Sequence, residues 1–360
     1  MKKLGFGLMR LPQNDGVIDV EQVKMMVDAF ISRGFTYFDT AWMYCNHESE
    51  NVTRTALCER YPRERFTLAT KLHSAFFNTV EEREEYFETQ LKKTGAGYFD
   101  YYLIHAINKD MYKKHTELDS FSWLIEKKNQ GLVKSIGFSF HDDAQFLDKV
   151  LTEHPEMEFV QLQINYLDWE SARVQSRLCY ETARRHGKPV IVMEPVKGGT
   201  LANVPESVEK LFKDYAPDMS AASWAVRFAA SLEGVMCVLS GMSNTDQLDD
   251  NTSFMQDFKP LCDKEYEIIN KAVEYIKDSK MIPCTACEYC LGGCPEGIAI
   301  PSLFALYNKD KRADSKSKKE FAEFEVKPSS CIECGACKSV CPQKLDIPGY
   351  LKTLSDFYEK

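Results

Sequence analysis

The sequence predicts an α/β fold: a closed (β/α)8 TIM barrel followed by a small, mainly helical domain. Three observations carry this. Before Met281, short runs rich in β-formers alternate with longer stretches of helical periodicity. Eight such units within roughly 260 residues suit a barrel better than an open doubly wound sheet, and no glycine-rich fingerprint follows the first strand. Eight of the thirteen cysteines fall between Cys284 and Cys341, which cuts the chain in two. The expected division is a barrel over 1–265, a connector over 266–280 and a second domain over 281–360.

The strands are expected at Leu4 to Leu8, Phe35 to Phe38, Phe66 to Thr70, Tyr101 to Ile104, Val133 to Phe138, Phe159 to Ile164, Pro189 to Met193 and Val235 to Leu239. Helical periodicity runs over Val20 to Arg33, Val80 to Lys93, Glu117 to Asn129, Asp142 to Thr152, Ser171 to His186 and Ala221 to Ala230. Gly34, Gly95, Gly131 and Gly187 stand at or near helix ends, where a left-handed residue closes the last turn. Phe258 to Lys280 reads as a final helix and connector, and Ser302 to Phe324 as one or two short helices between the two cysteine blocks.

With 360 residues, 44% hydrophobic and 12% aromatic, the chain has ample material for a large core, which excludes disorder, a disulfide miniprotein and a fibrous repeat. The 45 Lys and Arg against 54 Asp and Glu leave a net charge of -9 and no basic surplus to displace counterions, so nucleic acid is not an expected partner. No apolar run reaches the roughly 18 residues of a membrane span, and MKKLGFGLMRLP lacks the apolar segment of a secretory leader. A cytoplasmic chain is expected. From Met281 onward each sign contributes eleven charges, so the negative excess belongs to the first part. The run Lys309 to Glu320 reads as a solvated face, with docking of an acidic redox partner protein as the alternative.

Cys284, Cys287, Cys290 and Cys294, followed by Pro295, form CxxCxxCxxxCP, and Cys331, Cys334, Cys337 and Cys341, followed by Pro342, repeat it. A tight loop supplies three thiolates to one cubane, and the cysteine before proline serves the other cluster in two-cluster ferredoxins. Two [4Fe-4S] clusters are therefore expected. Zinc would call for separated CxxC pairs or Cys/His mixtures and leaves the third cysteine and the duplicated CP unexplained. The 36 residues between Cys294 and Cys331 are long for a minimal β-rich ferredoxin and favour a mainly helical, ferredoxin-like module. Cys45, Cys58, Cys179, Cys237 and Cys262 follow no pattern and read as small buried hydrophobes.

The second constellation lies on the barrel. Asp39 and Tyr44 follow the second strand, Lys71 closes the third and His105 closes the fourth, which places them at the C-terminal mouth where barrel enzymes work. A lysine ammonium lowers the pKa of a nearby phenol, an aspartate holds the lysine, and an imidazole orients a carbonyl oxygen. Trp42 reads equally as an apolar wall of a substrate pocket and as barrel packing.

At these residues the chain resembles the aldo-keto reductase family. GFGLMRLP, GFTYFDTAWMY, FTLATKL, DYYLIH, GLVKSIGFS, VQLQINYLD, KPVIVMEPVKGG and VLSGMSNTDQLDDN follow one another in the family's order, from Leu4 to Asn251. The resemblance implies an oxidoreductase acting on an aldehyde, a ketone or the matching alcohol. Tyr44 would protonate the oxygen, Lys71 and Asp39 would tune Tyr44, and His105 would orient the substrate. Carried over by motif, Ser139 and Gln161 would meet the nicotinamide carboxamide, and Gly198 and Gly199 would lie near the pyrophosphate. Gly241, Met242, Ser243, Asn244, Gln247, Asp250 and Asn251 would hold the adenosine end. Gly241 and Gln247 stand where NADPH-specific members carry a Lys and an Arg, Phe140 where they carry an Asn and Met193 where many stack a Tyr, so NADH and NADPH both remain open. With its cysteine blocks the chain resembles the subgroup carrying a C-terminal ferredoxin-like domain. Two other readings stand beside this one: an electron-transfer protein with a flavin or a partner in the barrel, and clusters that only staple the small domain.

Overall fold

The computed structural model describes residues 2–313 and 315–360, so Asp314 of the Lys309–Glu320 run lies outside the described residues. The chain divides into two compact units. The first gathers Met1–Glu170, Gln175–Pro195 and Val226–Pro260, and the second gathers Ser171–Val174, Val196–Ala225 and Leu261–Lys360.

In the first unit eight parallel strands close into a barrel: β1 Leu4–Gly7, β2 Tyr37–Asp39, β3 Thr67–Leu72, β4 Phe99–Ile107, β5 Val133–Phe140, β6 Phe159–Gln163, β7 Val190–Met193 and β8 Val235–Ser240. Each pairs with its chain neighbours, and β8 returns to β1. The expected strand order holds, with three shifts of boundary that matter for the site. β2 starts at Tyr37 and includes Asp39, β3 runs on through Lys71, and β4 runs on through His105, because pairing continues at Lys71 with Leu103 and Leu72 with Ile104. These side chains are therefore held by ladder hydrogen bonds rather than by loops.

Tyr37, Ala69, Leu103, Phe159, Ile191 and Cys237 fill the barrel interior together with Leu239, two positions beyond Cys237. Strand side chains alternate faces, so the residues two positions on, Asp39, Lys71, His105, Gln161 and Met193, line the same interior one layer nearer the C-terminal end. Gly137 makes space for the lower layer: a Cβ there would stand 2.4 Å from the Phe159 carbonyl oxygen.

Two expected helices are shorter than their periodicity suggests. Lys109–Glu117 and Ser120–Asn129 flank Asp119, whose φ of 49° interrupts helical backbone, and the helix expected from Ser171 begins only at Ser176, after Gln175 with φ 56°. The expected set omits the helices Lys109–Glu117, Glu206–Tyr215 and Thr245–Gln256 and the hairpin of Gln13–Asn14 with Val17–Ile18, closed by Asp15 and Gly16 at φ 50° and 80°. Gly34, Gly95, Gly131 and Gly187 are all left-handed, as expected of helix ends.

The second unit is mainly helical. Ile300–Ala313, Lys318–Ala322, Ala336–Ser339 and Ile347–Tyr358 surround a core of Ile282, Ile298, Leu303, Phe304, Leu345, Leu351 and Leu354. Asn308 clamps the entry to the first cysteine block, accepting from the Ile282 amide and donating to its carbonyl, both at 2.7 Å. Glu206–Tyr215 packs against Asp263–Asp278 in the same unit, with Phe212 stacked on Trp224 at 4.6 Å. Of the five scattered cysteines, Cys179 and Cys237 are buried as expected, Cys45 and Cys58 are half-buried, and Cys262 is exposed at a helix start. No helix among the described residues is long and apolar enough to cross a membrane.

Gly198 also belongs to the second unit. Its φ is 62°, and a Cβ would meet the Thr285 backbone at 2.2 Å. Gly198→Ala is expected to cost on the order of 1–3 kcal/mol from backbone strain alone, plus whatever the displaced Thr285 adds. Differential scanning calorimetry of the iron-loaded protein checks this; an unchanged transition for the second unit would contradict the packing.

Candidate functional site

Consecutive strands bring Asp39, Lys71 and His105 together, and the turn after β2 delivers Tyr44. The Lys71 ammonium donates to Asp39 Oδ1 at 2.6 Å and to the Thr40 carbonyl at 2.7 Å, and stands 4.7 Å from the centre of the Tyr44 ring. The Tyr44 and His105 rings meet edge to face at 6.1 Å. Ala106 takes φ 57° and the β4–β5 register shifts between Ile104 and Ile107, so an irregularity of the kind that re-aims side chains next to active sites lies at His105.

Burial sets the electrostatics. Asp39 and Lys71 are 2% and 1% exposed; burial pushes the carboxyl up and the ammonium down, and each partner pulls the other back toward its charged form. Burial also pushes the Tyr44 phenol well above its ordinary value, and Asp39 and Glu194 add to this. That direction is opposite to the one expected of a phenol beside a lysine. Asp39 lies at 2.6 Å from the ammonium and offsets its charge. The phenol is therefore protonated throughout the neutral range, the form that can donate. Burial holds His105 well below the usual imidazole value, with His73 and Lys71 pushing the same way, so its ring is neutral.

A second layer fixes the lysine strand, and sequence reasoning missed it. Gln90 Nε2 donates to the Lys71 carbonyl at 3.1 Å and to Glu50 Oε1 at 2.6 Å, and Thr70 Oγ1 donates to the same Glu50 oxygen at 2.8 Å. Glu50 and Gln90 are fully buried. The one available signal was polarity on the inward face of an amphipathic helix, which spacing alone assigns to solvent.

Ser139 and Gln161 are register partners on β5 and β6 and are both buried. Ser139 Oγ accepts from the Ala106 amide at 2.7 Å, which leaves its O–H to donate, and Gln161 Oε1 is a buried acceptor with no hydrogen-bond partner. One donor beside one orphaned acceptor is the complement of a carboxamide, so these residues fit a nicotinamide. Beyond β8, Asn244 caps the helix Thr245–Gln256, accepting from the Gln247 amide at 2.9 Å, and Gln247 Oε1 accepts from the Ser243 amide at 2.8 Å. Asn251 donates to Ser240 Oγ at 2.9 Å, Met242 is buried, and Asp250 is half-buried on the same helix. Gly241 and Ser243 adjoin Arg10: a Cβ at 241 would stand 3.4 Å from the Arg10 side chain, and Ser243 Oγ donates to the Arg10 carbonyl at 3.0 Å. Arg10 is a basic side chain beside a loop that carries none, a neighbour only the closed barrel reveals. Gly198 and Gly199 lie in the other unit, Gly198 against Thr285.

The eight block cysteines form two groups. Cys287, Cys284 and Cys341 act on the Cys290 thiol, and Cys331, Cys294 and Cys334 act on that of Cys337. In each case one of the acting thiols, Cys341 or Cys294, comes from the other block. Burial and the neighbouring sulfurs push the Cys290 thiol up to about 12, so a cation bound there would have to offset the charge of its thiolate. The Ala286 amide donates to Cys284 Sγ at 3.4 Å, and Cys294, Cys331, Cys334 and Cys337 border a cavity closed by Ile298, Ile300 and Leu351. Among the described residues no three His, Cys, Asp or Glu side chains converge on a single-ion position; a cubane instead distributes its four cysteines over separate irons.

The family model for the aldo/keto reductase family matches residues 3–274, and that for a 4Fe-4S dicluster domain matches residues 283–345. The chain belongs to the aldo/keto reductase family. With it the chain joins the oxidoreductases, and its architecture is a reductase barrel followed by a 4Fe-4S dicluster domain. This aldo/keto reductase is 33% identical over 149 residues to a probable aldo-keto reductase 1 of Glycine max, a match covering 39% of the chain and 41% of that protein. It is 27% identical over 237 residues to an aldo-keto reductase of Mycolicibacterium vanbaalenii, covering 66% and 78%. The crystal structure of an aldo-keto reductase from Klebsiella pneumoniae in complex with NADPH superposes with a TM-score of 0.60 at 18% identity, covering 76% of this chain and 90% of that one. At that identity the likeness is one of fold.

Proposed function

We propose that this aldo/keto reductase reversibly reduces an aldehyde or ketone, with Tyr44 as proton donor and a nicotinamide, NADH or NADPH, as co-substrate. The carrying observation is the buried Lys71–Asp39 pair with its cation over the Tyr44 ring and the neutral His105 edge-on to that ring. A reduced nicotinamide supplies a hydride to the carbonyl carbon. As charge develops on the carbonyl oxygen, the neutral imidazole of His105 orients it and the Tyr44 O–H protonates it. The Lys71 cation then stabilises the phenolate left behind, while Asp39 and the Thr40 carbonyl hold the ammonium in place. Ser139 and Gln161 orient the carboxamide, and Arg10 favours the phosphates. The catalytic part corresponds to residues 1–265 and the cluster part to 281–360, in a cytoplasmic protein whose thiols stay reduced.

Anaerobic incubation with NADH or NADPH and a panel of aldehydes and ketones, followed by loss of nicotinamide absorbance and identification of the alcohol, tests the reading. Turnover of no carbonyl compound with either nucleotide would overturn it.

The two [4Fe-4S] clusters bear on a second question. A nicotinamide delivers two electrons as one hydride, whereas each cluster accepts one at a time. Clusters that exchange electrons with the barrel site therefore need a flavin, in the barrel or on a partner protein. The expected result of mixing NADPH with the protein anaerobically, without added flavin, is no rapid reduced-cluster signal by electron paramagnetic resonance. Rapid cluster reduction under those conditions would contradict the electron counting.

A further inference from the structure

His73 stands two residues beyond Lys71 on the same stretch of chain and is 8% exposed. Its ring meets the His105 ring edge to face at 5.1 Å and the Phe76 ring at 5.6 Å, so a continuous row of rings runs from Tyr44 through His105 and His73 to Phe76. Phe76 in turn lies 6.2 Å from Trp42, which stacks on Tyr86 at 4.4 Å. His73 Nδ1 accepts from the Ala75 amide at 3.1 Å. An amide N–H can only donate, so Nδ1 carries no proton and the neutral ring holds its proton on Nε2. Burial and the Lys114 ammonium lower its pKa to about 4, so this form persists across the neutral range.

Two neutral imidazoles at adjoining positions are one more than a simple carbonyl needs. A single carbonyl oxygen engages the Tyr44 hydroxyl and one imidazole. A second donor one ring further along matches a second oxygen next to the reacting carbonyl, and the aromatic row beyond matches an apolar substituent.

We propose that His73 determines specificity, its Nε2–H donating a hydrogen bond to a second oxygen adjacent to the reacting carbonyl, so that the substrate class is an α-oxo or α-hydroxy carbonyl compound with an apolar or aromatic substituent. This rests on the reductase reading above and names its substrate class. His73 touches neither the transferred proton nor the carbonyl carbon, so its effect falls on binding.

The test pairs 1-phenylpropane-1,2-dione with propiophenone, which differ in the adjacent oxygen alone. His73→Phe keeps a planar ring and removes the donor; the lost hydrogen bond corresponds to about a tenfold rise in KM for the dione. Its kcat is expected to stay within about threefold and the propiophenone KM within about twofold, and His73→Asn, which restores a donor, is expected to recover the dione KM in part. Equal changes for both probes, or no change for either, would overturn the role of His73 and leave the reductase reading intact. A parent that reduces neither probe, nor any other carbonyl compound, would count against the reductase reading itself. Should His73→Phe fail to fold, His73→Leu against His73→Asn carries the same comparison: a dione preference kept by Asn and lost by Leu supports the assignment, and equal preferences overturn it.

Discussion

Replacing Tyr44 by Phe is expected to lower carbonyl reduction by about two to four orders of magnitude, the range that general acid catalysis contributes. The substitution deletes one oxygen and preserves the ring on which the Lys71 cation sits at 4.7 Å, so nucleotide binding is expected to be unchanged. A variant within about threefold of the parent in turnover would remove Tyr44 from the acid role. The fluorescence change on nucleotide binding separates a lost proton donor from a collapsed pocket. Lys71→Met is expected to lose activity as well, and with an added cost in stability. It strands Asp39 in the barrel interior, where removing one partner of a buried pair costs roughly 3–5 kcal/mol. Thermal unfolding of the two variants side by side therefore distinguishes them: the Tyr44 variant keeps its transition and the Lys71 variant loses part of it.

The second large effect is expected from Cys341→Ser. About eight irons per chain are expected in the anaerobically prepared parent, four for each cubane. Cys341 groups with Cys284, Cys287 and Cys290. Its loss should therefore remove or weaken the cluster based on the first block, leaving about four irons held by Cys331, Cys334, Cys337 and Cys294. Cys294→Ser should strike the cluster based on the second block. Iron analysis combined with electron paramagnetic resonance of each variant decides the assignment. If Cys341→Ser instead abolished the cluster built on Cys331, Cys334 and Cys337, the wiring would run within each block. Removing both clusters with chelator under reducing conditions is expected to unfold the second unit before the barrel, which has its own hydrophobic core.

The parts of this molecule legible in its sequence are those where chemistry restricts residue type at short range. Four thiolates at fixed spacing with a following proline have few other uses, so the 4Fe-4S dicluster domain could be read directly. The barrel was legible because its strands are buried on both faces and run as short apolar stretches between capped helices. The side chains at the mouth were read with it, although Lys71 and His105 lie inside their strands. Spacing could not convey contacts that depend on closure. Glu50 and Gln90 lie far apart in the chain and meet behind Lys71 only once the strands curl. Arg10 and Ser243 meet because the last strand returns to the first. The direction of the Tyr44 shift was missed for a related reason: burial in the closed barrel pushes the phenol up, and Asp39, whose carboxylate stands 2.6 Å from the lysine that would lower it, adds to that. Helix breaks at Asp119 and Gln175 escaped notice because left-handed backbone at a non-glycine residue leaves no mark on hydrophobic periodicity.

The composition of the second unit limits how this protein can be taken apart. Residues 196–225, which come from the middle of the barrel sequence, belong to the same compact unit as the cysteine blocks. Gly198 packs on Thr285 between the first two cysteines, and Lys197 donates to Gln343 just past the last one at 2.8 Å. A stop codon near residue 281 would remove the surface against which 197–200 is built and leave a half-assembled loop on the truncated reductase. Recombination follows the same constraint. Exchanging the cluster domain for that of a relative requires the 196–225 segment to travel with it, so the transferable cassette is discontinuous in the gene although it is one body in the fold.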